Sequence, residues 1–348
     1  MVAACSYGLI SPEVCAVSEP PPPPVVTPES MLADHLMRRW APTYVQRVDA
    51  DDRGRDRPTR IDFDGDWDAS NNWDHQARFG TELPPAAYGA AILTATHAYL
   101  TYTLYYPRDW SRRFCVPLIC HDNDLETVLV VVEREVGGAG RLVAVRTKAH
   151  HQTSDTPADQ IQRTRDERPL LHVEPEGHGV AVCRRGDPRC AAAPGRIVYT
   201  YGEVASSPPA KALGQTVAYE LVSLRDTLWA RRSLANCGLW AWGETGPLHY
   251  QGREGRLGWR MGASLAGRRY IGGVRPPWAI KGARGARGDW FLDPAGPGER
   301  YVYNPFLDDL RDECVGAACA PAPSEPSRLR RWTSLGANGL AAWIDMVL

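Results

Sequence analysis

The spacing of apolar residues along this 348-residue chain changes character twice, and each change marks a different kind of structure. After the start signal Thr27-Pro28-Glu29-Ser30, the residues Met31, Leu32, Leu36, Met37 and Trp40 recur at three- and four-residue intervals and predict a helix with one apolar side. The Ala-rich stretch from Pro84 to His97 predicts a second helix. From there to about Leu224 strands dominate. The run Tyr99–Trp110 is rich in Tyr and Thr, and His121–Val132 is rich in Val. Past about residue 230 Gly, Arg and Trp become frequent and regular periodicity fades. The expected fold is mainly β: a β-sandwich with flanking helices and a loop-rich C-terminal extension. The expected organisation is a tail over 1–28 carrying the stiff spacer Pro20–Pro24, a sandwich over 29–228, and an extension over 229–348 packed on it. A separate small C-terminal domain is the alternative.

The candidate chemistry lies where the two strongest strand patterns adjoin. Asp109 stands near the end of the first run, while His121, Asp124 and Glu126 open the second. If the runs pair as an antiparallel hairpin, Asp109 meets Asp124, and the period-2 geometry of a strand sets Asp124 and Glu126 on one face. Three carboxylates and an imidazole form a mostly hard ligand set, suited to Mg²⁺, Ca²⁺ or Mn²⁺ rather than to a thiolate-type zinc site. An exposed acidic loop followed by a core strand is the plainer reading of the same short pattern.

These segments resemble the necrosis- and ethylene-inducing (Nep1-like) proteins, cytolysins of plant-associated microbes. The resemblance rests on Tyr105-Tyr106-Pro107-Arg108-Asp109, which matches the end of the family's Y-x-W-Y-x-P-K-D strand, and on His121, Asp124 and Glu126, which fall at the ligand positions of the family's heptapeptide G-H-R-H-D-W-E. Val143–His151 is similar to a family strand ending in Ala-His. Leu170–Gly179 resembles a later segment of the related Vps62-like proteins. The similarity extends over residues from about 60 to 225. The heptapeptide's second His is Asn123 here and its Trp is Leu125, so the ligand positions match and the residues between them do not. The resemblance implies a divalent cation at Asp109, His121, Asp124 and Glu126 that helps bind a sugar head group without cleaving any bond.

Composition narrows the partners. With 40 basic and 41 acidic residues the formal net charge is -1, which gives no global field toward nucleic acid or anionic lipid. No run approaches the ~18 apolar residues of a spanning helix, so any membrane contact is expected to be peripheral. Among nine cysteines, Cys115 with Cys120, Cys183 with Cys190, and Cys314 with Cys319 form close pairs in loops of Gly, Pro and Arg. That spacing suits local disulfides and an oxidising compartment; reduced, buried thiols are the alternative. Met1-Val2-Ala3-Ala4-Cys5 is similar to the end of a bacterial lipoprotein signal. Setting Cys5 aside for lipid pairs Cys15 with Cys237 by elimination. The expected location is secreted or at the cell surface.

A second acidic run holds Asp62, Asp64, Asp66 and Asp68 around Gly65 and resembles a Ca²⁺ loop without the bidentate Glu of an EF-hand. A turn capped by its own Asp and Asn side chains is the alternative. His150, His172 and His178 lie in segments that the resemblance places near the site, where each is a candidate general base or ligand contact. No G-x-S-x-G elbow, Walker loop or G-x-G-x-x-G after a strand is present. Twelve tryptophans, six of them between Trp229 and Trp290, suit either a sugar-stacking surface or the packing of a loop-rich region. Two function classes result. One is a metal-dependent binder of a glycan or glycosylated lipid head group with cytolytic action. The other is a metal-dependent hydrolase of a glycan or phosphodiester in which His150 or His178 moves the proton. A structural metal is a third reading.

Overall fold

The computed structural model describes residues 26–49, 54–65, 67, 72–79, 83–110, 121–149, 152–207, 212–230, 249–250, 253–254, 294–295 and 300–306. Helix α1 spans Pro28–Trp40, as its start signal predicts. Thr27 caps it: its Oγ1 accepts from the Ser30 amide at 3.1 Å, and the Ser30 hydroxyl accepts from the Thr27 amide at 2.9 Å. Ala33, Leu36, Met37 and Trp40 are buried. Met31, expected on the apolar side, is 62% exposed. At the other end Arg168 donates to the carbonyls of Arg38 and Ala41, which satisfies acceptors the last turn leaves free.

The strands are β1 (Thr43–Arg47), β2 (Ala86–Thr94), β3 (His97–Asp109), β4 (His121–Glu133), β5 (Arg141–Ala149), β6 (Gln152–Pro157), β7 (Leu170–Val173), β8 (Val180–Val182), β9 (Arg196–Tyr201), β10 (Thr216–Ser223), β11 (His249–Tyr250), β12 (Arg253–Glu254) and β13 (Tyr301–Tyr303). A second helix, α2, covers Asn72–Phe79, for which the sequence pattern predicts no helix.

In place of the sandwich expected from the sequence, β11 and β12 form a separate two-stranded pair and the main sheet is one continuous, nearly closed surface. Among the described residues its order is β6-β5-β4-β3-β2-β10-β9-β1-β7-β8, with β13 added to β2. Continuity comes from β10, which pairs with β9 through Thr216–Tyr219 and with β2 through Glu220–Ser223. The sheet curls until β8 packs against β5. Its interior holds Leu100, Tyr102, Leu104 and Tyr106 of β3, Val128, Val130 and Val132 of β4, and Tyr44, Tyr199 and Tyr219 from the far strands. The alternate residues Tyr99, Tyr105, Leu125, Leu129 and Val131 pack outside against Leu228, Trp229 and Phe306. Burial on both faces explains why Val128–Val132 is a continuous apolar run rather than an alternating one.

The helix expected over Pro84 to His97 is instead β2 and the first residue of β3. Ala86–Thr94 lies between β10 and β3, buried almost throughout, so its ladder hydrogen bonds and packing override the helix propensity of alanine. Small side chains serve a different purpose here. A Cβ at Gly89 would stand 2.5 Å from Met37 Cε, so glycine lets α1 lie directly on the sheet.

Cys183 and Cys190 form the disulfide expected of them, with Cα atoms 5.9 Å apart. The pairs Cys115–Cys120, Cys314–Cys319 and Cys15–Cys237 lie outside the described residues. No helix among the described residues is long and apolar enough to cross a membrane.

Candidate functional site

The β3–β4 ladder sets the geometry of the acidic cluster. Asp109 stands opposite His121, and Asp124 stands opposite Tyr106. The direct Asp109–Asp124 pairing expected from the hairpin is thus displaced by three residues along the ladder. The two carboxyls still interact: burial first, and then the charge of Asp124 and that of Glu176, push Asp109 up to about 8 against the opposing effect of His178. The phenol of Tyr106 is raised by burial, and also by the charges of Asp124, Asp56 and Glu126, which places Glu126 within the same field.

Asn123 breaks the strand's regularity at φ 60°. Its side chain accepts from the Tyr105 hydroxyl at 2.6 Å, and that hydroxyl accepts from Asn72 Nδ2 at 2.7 Å. Asparagine tolerates the left-handed region better than most residues, so Asn123 suits the backbone conformation at this position. Glu176 and His178, in the turn between β7 and β8, also have positive φ, at 69° and 51°. Three of the four such non-glycine residues among those described therefore surround one cluster. Strained backbone of this kind persists where packing over-determines it and concentrates at functional sites.

His178 is the centre of the packing. It is fully buried, and its ring stacks on Tyr106 with centroids 3.7 Å apart and planes 3° from parallel. Its Nδ1 lies 2.8 Å from Asp124 Oδ2 and its Nε2 3.3 Å from Asp56 Oδ1. Burial alone lowers the imidazole's affinity for a proton, but hydrogen bonds to the two carboxylates and their charges outweigh it and raise His178 to about 9. At neutral pH the ring is an imidazolium that donates from both nitrogens. Both ring nitrogens of this enclosed ring are engaged by carboxylates.

Asp56, which no sequence pattern singles out, is completely buried. Its carboxylate also accepts from the Asp49 amide at 2.6 Å, the Glu176 amide at 2.9 Å and Trp110 Nε1 at 3.0 Å. Arg55 stacks over the Trp110 ring at 4.8 Å. The stretch Asp51-Asp52-Arg53-Gly54-Arg55-Asp56-Arg57 reads as a solvated charge run, and no local pattern in it distinguishes the buried residue.

Other predicted residues fall elsewhere. Asp62 is held by Arg60 through two hydrogen bonds of 3.0 and 2.8 Å, and Asp64 bonds His75 of α2. Asp66 and Asp68 lie outside the described residues, as does His150. His172 is buried in β7, and its proton affinity is lowered first by burial and then by Arg189. Its other charge interactions run to Glu174, Asp187 and Arg196.

The backbone of His121 is described and its side chain is not. Among the described residues no three His, Cys, Asp or Glu side chains already converge as a cation cage. The donor chemistry nonetheless fits a hard divalent ion. Burial first, and then the neighbouring charge of Asp124, favour the protonated form of Asp109; a divalent ion at that strand end would offset both by compensating the carboxylate charge.

No family model and no curated protein matches the sequence. Solved structures do. One described as a toxin fold for microbial attack and plant defense shares 14% identity at a TM-score of 0.35, over 62% of this chain and 81% of that one. NLPPya in complex with glucosamine shares 15% at 0.34, over 62% and 82%. The necrosis and ethylene inducing protein 2 from the causal agent of cocoa's Witches Broom disease shares 15% at 0.30, over 61% and 80%. The chain is thus similar, at low identity, to the necrosis- and ethylene-inducing proteins whose motif its β3–β4 segment resembles.

Proposed function

We propose that the chain binds one divalent cation, Mg²⁺, Ca²⁺ or Mn²⁺, through Asp109, His121, Asp124 and Glu126. We further propose that the cation serves to recognise a glycan or the head group of a glycosylated lipid, in the manner of a Nep1-like, cytolysin-type binding protein. The observation that carries this reading is the β3–β4 register, which sets Asp109 opposite His121 and within the field of Asp124. A hard ion with free coordination positions engages vicinal hydroxyls and ring oxygens by replacing water. The protein's share is to hold the carboxylates in place and to exclude water beneath them, which the Tyr106–His178 stack does. The burial of His178 and the engagement of both its nitrogens by carboxylates support recognition over hydrolysis. The Cys183–Cys190 bond supports an oxidising, secreted or cell-surface setting. Contact with a membrane would be peripheral.

The test is co-sedimentation with liposomes containing glycosylated lipid, with and without a chelator. Glu126→Gln keeps the side-chain volume and removes a charge the ion needs, so binding should weaken while the circular-dichroism spectrum is unchanged. Binding indifferent to both chelator and mutation would contradict the reading. Metal-dependent turnover of a glycan or phosphodiester, lost in Glu126→Gln, would replace it with the hydrolase.

A further inference from the structure

Four groups from three stretches of the chain meet at one buried carboxylate. Asp56 Oδ2 accepts from the Asp49 amide after β1. Its Oδ1 accepts from the Trp110 indole after β3, from the Glu176 amide in the β7–β8 turn, and from His178 in the same turn. His178 then donates its other N–H to Asp124 at the start of β4. Trp110 directly follows Asp109, and its amide donates to the Glu176 carbonyl at 3.3 Å. One path, Asp56–Trp110, therefore ends beside the proposed ligand Asp109, and the other, Asp56–His178, ends on the proposed ligand Asp124.

We propose that Asp56 is the positioning residue of the cation site, acting through His178 on Asp124 and through Trp110 on Asp109; this rests on the cation reading above. The physical need is specific. Asp124 has two carboxylate oxygens; the His178 ring engages Oδ2 through Nδ1 at 2.8 Å, which leaves Oδ1 for an ion and orients the group. Stacking on Tyr106 fixes the ring plane, so the direction of the Nδ1–H bond is set by packing rather than by solvent. Asp56 in turn holds the ring from its far side and fixes which way the β7–β8 turn lies, at the cost of positive φ at Glu176 and His178. Groups that orient metal ligands in this way commonly change metal affinity by about 10- to 100-fold when they are removed.

The experiment is isothermal calorimetry with Mg²⁺, Ca²⁺ and Mn²⁺ on the full chain and two variants, each first checked for its thermal transition without metal. Asp56→Asn removes the charge and sets an NH₂ group against a donor; cation affinity should fall about 10- to 100-fold. Trp110→Phe keeps the packing and deletes one donor to Asp56, so it should weaken affinity by a smaller factor and remains informative if Asp56→Asn does not fold. A merely structural role is separated by the electron paramagnetic resonance spectrum of bound Mn²⁺. The proposal expects an altered spectrum in the folded variants, whereas a structural role lowers the thermal transition and leaves both spectrum and affinity as in wild type. That second outcome overturns the proposal. If the wild-type chain itself binds none of the three ions, the cation reading fails and this inference with it. Loss confined to the Asp109, Asp124 and Glu126 variants, with Asp56→Asn binding normally, sinks this inference alone.

Discussion

Alkaline pH should weaken the metal-free protein, and His178 determines how much. Its imidazolium is held between Asp56 and Asp124 and raised to about 9, whereas an unfolded histidine titrates near 6.5. Because the folded value is the higher one, the stabilisation is complete below about pH 6.5. It declines as the unfolded chain gives up its proton first, and is gone once the native ring deprotonates above about 9. Two to three pKa units correspond to about 3 kcal/mol, a large share of the stability of an ordinary domain. Asp109 acts in the same direction over a lower window. Pushed up to about 8 by burial and by Asp124, it keeps its proton in the native state while the unfolded chain releases one above about pH 4. Urea denaturation in a chelator at pH 6, 7.5 and 9.5, on wild type and His178→Gln, separates the two. The wild type should lose about 3 kcal/mol more than the variant between pH 6 and 9.5. Equal losses in the two proteins would refute the assignment of the charge to His178.

Other outcomes are open to direct measurement. Added Mg²⁺ or Mn²⁺ should flatten the part of the pH dependence that Asp109 causes, because the ion and the proton compete for the same carboxylate; an unchanged profile would argue against the cation. Cys183→Ser should lower stability by about 2 kcal/mol, the value for a short closed loop, and non-reducing peptide mapping should recover the Cys183–Cys190 bond. Gly140→Ala should cost about 2 kcal/mol, because Gly140 has φ 74° and its added Cβ would lie 2.6 Å from the Glu133 carbonyl oxygen. Gly89→Ala should cost less, about 1 kcal/mol, since it meets the movable end of Met37; chemical denaturation that ranks them the other way would contradict both packing arguments.

What could be read from the sequence follows from how local each signal is. Helix α1 announces itself through Thr27, Pro28 and Ser30, whose capping bonds span three residues. Strands β3 and β4 show in their Tyr, Thr and Val content, and the motif residues at their ends locate the cluster. The Ala-rich β2 was opaque because nothing local says that it will lie between two strands with α1 on its face. The same holds for the single curved sheet, since β10 changes partner halfway along and neither half carries a mark of it. In the site, Asp109, Asp124 and Glu126 are legible from the motif, while their register depends on Asn123 and the full length of the ladder. Asp56 was invisible for a physical reason. Its burial is created by Trp110, Glu176 and His178, which stand more than 50 residues away from it.

The most direct test of the account is a crystal of the chain grown with Mn²⁺ and measured for anomalous scattering. The account predicts one strong peak bounded by Asp109, His121, Asp124 and Glu126, absent in crystals of Asp124→Ala. A peak at the Asp62–Asp68 run alone, or none at the β3–β4 strand ends, would contradict it.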